Sequence, residues 1–261
     1  MTVTFYGTRG SYSSISDDRR VFGGNTTCLL FDFGGKKIMI DAGSGAADAI
    51  PDLHNDETLD LFISHFHLDH ISGVVQLISE FAGRRLNIYG KARSGVTVSE
   101  AVDRIMTEPL WPVSPEMFGC ARFFDVPGSF SLDGIKVSTM ESNHPGGSTL
   151  FRFEHGGKTV VTAFDFCHTD GYGDRLVEFA LGCDLLIYDG AMSNDEFLVH
   201  PTWGHSTASA GAEIAKKIGC RLIVTHHGPR ATDNELLFAE QKAREIYEKT
   251  TYAKDGMIVE I

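Results

Sequence analysis

Short apolar runs bounded by Gly or Asp fill the first third of the chain. Thr2–Tyr6, Cys28–Phe33, Lys37–Ile40 and Leu59–Ile63 each read as a strand, with Gly34-Gly35 as a tight hairpin turn. The period changes after His70. Ile71, Val74, Val75, Ile78 and Phe81 recur at three and four residues and stop at Gly83, which predicts a helix. Leu86–Tyr89 reads as a strand again, and Val98, Val102, Ile105 and Met106 form a second helical stripe ended before Pro109. From Pro109 to Pro127 the chain is rich in Pro and aromatics (Trp111, Phe118, Phe123, Phe124) and reads as a long loop able to overhang a cleft. Strand patterns return at Ile135–Met140, Thr149–Phe153, Thr159–Ala163, Leu185–Tyr188, Leu222–Thr225 and Met257–Val259. Ala208–Ile218 and Glu235–Lys249 read as helices.

Strands that come first as a meander, with helices intervening later in each half, suit two sheets packed together with helices outside, an α/β sandwich. No repeat or linker-like tract divides residues 1–261, so one domain is expected. A composition of 42% hydrophobic and 22% charged residues excludes disorder and coiled coil. No run approaches the ~18 apolar residues of a membrane span. The N-terminus lacks a basic segment followed by an apolar one, so the expected compartment is the cytoplasm. Cys28, Cys120, Cys167, Cys183 and Cys220 contain no C-x-x-C pair and read as thiols in a reducing compartment. The net charge of −12 argues against long nucleic acid as a partner, unless a local basic patch or bound cations offset it.

The histidines, 11 in all, are unevenly placed. The strand Leu59–Ile63 runs into Ser64-His65-Phe66-His67-Leu68-Asp69-His70. On an extended backbone His65 and His67 point to the same side, and Asp69 and His70 sit where the chain turns into the helix. Metal-capable side chains so concentrated after a buried strand are hard to explain as core.

With this motif the sequence resembles the metallo-β-lactamase superfamily of binuclear metallohydrolases, whose signature is H-x-H-x-D-H after a strand. The resemblance covers nearly the whole chain and implies an αββα sandwich of two mixed β-sheets. By position it implies that His65, His67 and His144 hold one metal and that Asp69, His70 and His226 hold the second. Asp165 matches the carboxylate that bridges them. His226 is preferred to His227 because the family's last ligand closes its strand in this way. Asp41, before Ala-Gly-Ser-Gly, looks like the group that fixes the histidine loop, or else is a polar turn residue. Imidazole and carboxylate ligands without thiolate suit Zn²⁺, and also Mn²⁺ or Fe²⁺. Water bridging two such ions is deprotonated near neutral pH, so hydrolysis is the favoured class.

Ligands alone do not choose the electrophile. Asp184-Leu-Leu-Ile-Tyr-Asp189 followed by Trp203-Gly-His205-Ser-Thr is similar to the phosphodiesterase branch, which includes RNase Z and the phosphoribosyl cyclic phosphodiesterases. The resemblance implies that His205 meets the scissile phosphate and protonates the leaving oxygen, with Asp189 as its orienting partner, and that Asp69 shuttles a proton. Gly-His-Ser-Thr is equally a helix start. His168, the loop Gly23–Thr26 with Asn25, and Thr8–Ser11 are candidate cleft-lining positions, whereas His54, His155 and His200 have no motif around them.

RNase Z grips tRNA with a long basic arm between the third His and the bridging Asp. Here twenty residues separate His144 from Asp165, enough for a hairpin only. The expected substrate is therefore a small, cyclic phosphodiester, and the resemblance points to a homodimer. Lactone, thioester or β-lactam hydrolysis, or a non-catalytic metal sensor on the same fold, remain open alternatives.

Overall fold

The computed structural model describes residues 1–261. Fourteen strands form two seven-stranded sheets. The first sheet comprises β1 (Thr2–Gly7), β2 (Cys28–Asp32), β3 (Lys37–Ile40), β4 (Thr58–Ile63), β5 (Arg85–Gly90), β6 (Ala121–Asp125) and, paired outside β1, β14 (Met257–Glu260). The second comprises β7 (Ser129–Leu132), β8 (Ile135–Glu141), β9 (Thr149–His155), β10 (Lys158–Ala163), β11 (Leu185–Asp189), β12 (Arg221–Thr225) and β13 (Thr250–Tyr252), in spatial order β13-β12-β11-β10-β9-β8-β7. The helices are α1 (Ala46–Ala49), α2 (Leu68–Ile71), α3 (Val74–Glu80), α4 (Val98–Ile105), α5 (Tyr172–Phe179), α6 (Asn194–Val199), α7 (Ala208–Ile218) and α8 (Asp233–Ile246).

Each sheet is antiparallel on one side and parallel on the other. Pairing is antiparallel across β14, β1, β2 and β3, then parallel from β3 to β6. In the second sheet β7 to β10 are antiparallel and β10 to β13 parallel. The composition follows this division. β11 is apolar up to Asp189 and β4 is buried from Leu59 on, because both their faces are covered. β8 alternates, with Ile135 and Val137 buried and Lys136 exposed.

Between the sheets lies an aromatic layer that includes Phe5, Phe31, Phe62, Phe151 and Phe153. The outer face of the first sheet is covered by a cluster including Ala46, Leu77, Ile78 and Val102, from α1, α3 and α4. Leu176, Ala212, Ala215, Leu236 and Ala243, from α5, α7 and α8, cover the second. These layers give the two mixed sheets with outer helices that the family resemblance implied. No helix is long and apolar enough to cross a membrane.

Local signals start four of the eight helices. Thr97 with Glu100, Ser193 with Glu196 and Thr232 with Glu235 form capping boxes at α4, α6 and α8, and the Thr207 hydroxyl accepts the Ala210 amide at α7. The helix expected from Ile71 to Phe81 is broken at Gly73. That residue lies against the Gly43 carbonyl, where a Cβ would come within 2.3 Å. The Gly73 amide donates to the Ala42 carbonyl at 2.7 Å, so α2 is a separate turn, with Asp69 and His70 facing the sheet ends. The segment Pro109–Pro127 does not overhang the cleft. Trp111, Phe118 and Phe123 pack on the outer core, and Ala121–Asp125 adds an edge strand parallel to β5. The last helix ends at Ile246 rather than Lys249, because Tyr247 turns extended towards β13.

Parallel strands align their C-terminal ends. β3 is followed by Asp41, β4 by Ser64 and His65, and β10 by Phe164 and Asp165; β11 ends in Asp189 and β12 is followed by His226. Both sheets deliver polar residues to one edge of the sandwich, as expected for ligand sites at strand C-termini.

Candidate metal centre

Two groups of side chains meet at this edge. In one, ligand atoms of His65, His67, His144 and Asp165 all lie within 4.8 Å of one another; in the other, those of Asp69, His70 and His226 do so. Asp165 joins them. Its Oδ1 is 3.7 Å from His65 Nε2 and 3.6 Å from His144 Nε2, while its Oδ2 is 3.1 Å from His70 Nε2 and 3.2 Å from His226 Nε2. Asp165 thus lies between the two groups, one oxygen towards each.

Nitrogen faces nitrogen across both groups. His144 Nε2 is 3.2 Å from His67 Nδ1, and His226 Nε2 is 3.3 Å from His70 Nε2. His65 Nε2 and Asp165 Oδ2 are buried with no well-aligned hydrogen-bond partner. Orphaned polar atoms of this kind cost ~1–3 kcal/mol each unless something satisfies them. Burial lowers the pKa of His65, His67 and His144, so these rings present lone pairs rather than protons. At His70 burial acts the same way, but Asp165, Asp69 and Asp41 outweigh it and raise the pKa. Burial would raise Asp165 and Asp69, yet the surrounding histidines hold both well below the usual carboxylate range. Lone pairs on His65, His67 and His144, beside carboxylates that draw positive charge, fit divalent metal ions.

A layer of hydrogen bonds aims these groups. The Asp41 carboxylate accepts the Ser64 amide and hydroxyl, both at 2.7 Å, and its Oδ2 is 2.7 Å from His70 Nδ1. The Ser11 amide donates to Asp69 Oδ2 at 2.6 Å. His144 Nδ1 bonds the Gly204 carbonyl at 3.0 Å, and the His144 amide bonds the Ser142 hydroxyl, which in turn donates to the Asp165 carbonyl. Asp41, Asp165 and His226 all have left-handed backbone, with φ of 56°, 53° and 57°. Strained residues of this sort persist where surrounding contacts over-determine them.

Beside the cluster, the Asp189 carboxylate is wholly buried. Its Oδ2 accepts the Asp165 amide at 2.9 Å and lies 3.0 Å from His205 Nδ1; its Oδ1 accepts the Ala191 and Ser206 amides. Burial opposes protonation of His205, but Asp189 outweighs it and pushes the imidazole up to about 9. The His205 ring packs 5.1 Å from both His144 and His226, so it borders both groups.

Of the pair at the end of β12, His226 joins the cluster. His227 lies in the core, where its Nε2 bonds the Ala253 carbonyl at 2.9 Å and its ring stacks on Tyr252; burial pulls its pKa down to about 3. The other positions expected to line the cleft serve its frame. Asn25 Nδ2 donates to Asp48 and to the Tyr6 carbonyl. Arg9 is fully buried and donates to the carbonyls of Gly23, Gly228 and Ala231, and of the Thr8–Ser11 segment the Ser11 amide reaches Asp69. His168 bonds the Ser206 hydroxyl at 2.7 Å and stacks on Phe197. Ser142, Ser64 and Gly204 were not singled out from sequence, although Ser64 directly precedes His65.

Residues 36–227 match the beta-lactamase superfamily domain. A relative named Ribonuclease Z from Methanopyrus kandleri is 24% identical over all of this chain and 98% of its own length; one of the same name from Thermoplasma acidophilum is 25% identical over 99% and 96%. Among solved structures, the metallo-beta-lactamase fold protein YhfI from Bacillus subtilis has a TM-score of 0.75 at 19% identity, covering 99% of this chain and 98% of its own. Human tRNase Z, short form, has a TM-score of 0.71 at 21% identity, over 100% and 99%. These relatives correct one expectation. A small-molecule substrate and the exclusion of long nucleic acid rested on net charge and the short His144–Asp165 connection, yet relatives matched over nearly their whole length are named as ribonucleases. Net charge sums the whole surface, whereas binding answers to the local field and to cations held at the site. The family match spans most of the chain and contains every residue of the cluster, so the protein belongs to the beta-lactamase superfamily and to its metal-dependent hydrolases.

Proposed function

We propose that residues 1–261 form one hydrolase domain that cleaves phosphodiester bonds, RNA among them, with two divalent ions, zinc by preference. His65, His67 and His144 would hold one ion and Asp69, His70 and His226 the other, with Asp165 shared between them. When bound, the ions supply a water-derived nucleophile at neutral pH and offset charge building on the phosphoryl oxygens.

The observation that carries this reading is the His205–Asp189 pair, 3.0 Å apart at the rim of the cluster. Asp189 occupies His205 Nδ1 and thereby leaves Nε2 as the nitrogen to meet substrate. From Nε2 the imidazolium gives a charge-assisted hydrogen bond to a phosphoryl oxygen and then its proton to the departing alkoxide. Hydrolysis of a lactone or thioester has less use for a cation there. Asp69 is anchored through Oδ2 by the Ser11 amide, which leaves Oδ1 to accept a proton from the attacking water.

Metal-loaded protein should be assayed on an RNA with a 3′ extension, a cyclic phosphodiester, bis(4-nitrophenyl) phosphate, a lactone and a thioester. Turnover confined to phosphodiesters, and lost in His205→Ala, is the expected result. Lactone or thioester turnover that survives this substitution would reject the proposal.

A further inference from the structure

The cleft has two wings. Beside His67, a cavity of about 340 Å³ extends to Arg93 and Arg104. Beside His205, a larger one of about 950 Å³ runs between α6, α7 and α8. We propose that the larger cavity is the leaving-group subsite and that it takes the aromatic base of a nucleoside, stacked on Trp203. This rests on the phosphodiesterase reading above.

Direction comes from His205. A residue that protonates the departing oxygen must stand on that oxygen's side of phosphorus, and His205 forms part of the wall of the larger cavity. The alcohol half of the substrate therefore extends into this wing.

The chemistry of the wall identifies what lies there. Trp203, in the same wall, is 55% exposed. Its ring is backed by His200 at 3.8 Å and 10° between planes, so one face is covered and the other is a rigid platform. Tyr12 and Phe238, 52% and 63% exposed, border the same space. Exposed aromatics gathered beside a charged centre mark a binding surface rather than scattered surface residues. Arg230 and Asn194 add hydrogen-bonding groups at the edge. Aromatic stacking accepts any base, since every base has a π face.

The platform is also tied to the cluster. Only Gly204 separates Trp203 from His205, and its φ is +83°. A Cβ there would fall 2.2 Å from Pro145 and 2.7 Å from His144 Nδ1, and its carbonyl bonds that same nitrogen. Trp203 and His205 are thus set in fixed relation to His144, one to hold the base and the other to meet the oxygen it carries.

Equilibrium dialysis of adenosine against the metal-loaded full chain tests the subsite without turnover. Adenosine should bind saturably and quench tryptophan fluorescence, while ribose should do neither. Trp203→Leu should weaken binding roughly tenfold or more, and Trp203→Phe should restore most of it. Absence of adenosine binding, or equal binding by Trp203→Leu, would overturn the proposal. So would a Trp203→Leu variant that changes oligomeric state and binds adenosine normally, because the patch would then belong to a second copy. Phosphodiester turnover without adenosine binding removes the subsite alone. Trp203-dependent adenosine binding without phosphodiester turnover keeps the base platform and removes the proposed activity.

Discussion

Asp41 Oδ2 lies 2.7 Å from His70 Nδ1 in a wholly buried pair. Because the same carboxylate accepts the Ser64 amide and hydroxyl, it has no freedom to turn away. It keeps the proton on His70 Nδ1, so that Nε2, which faces Asp69, Asp165 and His226, is the nitrogen left for a metal ion. Asp41→Asn places an amide donor against Nδ1 and reverses that preference. Metal affinity, measured by chelator competition, should fall about 10–100-fold while the far-ultraviolet circular dichroism stays native. Unchanged affinity would mean that the pair serves folding alone.

His65 and His205 line different cavities of the cleft and should fail differently. His65 Nε2 is a buried orphan directed at the Asp165 carboxylate, so His65→Ala should lose bound metal and turnover together. His205 also groups with Asp165 and His226, but its Nδ1 is committed to Asp189. His205→Ala should keep its metal and lower kcat by about 10²–10⁴. Metal analysis alongside kinetics separates the two, and equal metal loss in both variants would show that His205 is a ligand.

The order of residues made the frame of this site legible. His65-Phe66-His67-Leu68-Asp69-His70 concentrates metal-capable side chains at one strand end, and each remaining candidate ligand closes or follows an apolar run that reads as a strand. What could not be read was supplied by contacts distant along the chain. Ser11 holds Asp69, and the carbonyl of Gly204 holds His144, through single backbone groups that leave no mark on residue type. β6, β7 and β13 escaped for a related reason. They lie at sheet edges; β6 has no strict alternation around Phe123 and Phe124, while β7 alternates but, like β13, is too short to stand out. The break at Gly73 was invisible because a helical period continues through it in sequence, whereas in space the Gly73 amide leaves the helix for the Ala42 carbonyl.

Two glycines offer a controlled comparison. At Gly10 a Cβ would lie 2.4 Å from His226 Cε1, against a ring held among Asp69, Asp165 and His70. Gly10→Ala should therefore displace His226 and weaken metal binding more than it unfolds the protein. Gly34 turns the β2–β3 hairpin at φ +84° with open space around it. Gly34→Ala there should cost about 1 kcal/mol in urea denaturation and leave metal affinity unaltered. If both variants bind metal like the parent, the contact at Gly10 does not set the position of His226.

Asp255 gives the fold a pH dependence remote from the metal ligands. Burial raises its pKa to about 6, against the stabilising amide of Asn25 and hydroxyl of Thr8. A carboxyl that is harder to ionise when folded favours the native state below the unfolded pKa, near 4. That contribution is lost as pH rises to about 6, and it amounts to about 3 kcal/mol at most. Asp255→Asn removes the titration but keeps the contacts. Its Oδ1 can accept the Asn25 amide, and its Nδ2 can donate to the Thr8 hydroxyl, which itself donates to the Phe22 carbonyl. Between pH 4 and 7 the stability of the variant relative to the parent should rise in its favour, then level off above pH 7. Urea denaturation of both proteins across that interval reads the difference directly; parallel curves would show that Asp255 ionises alike in the folded and unfolded chains.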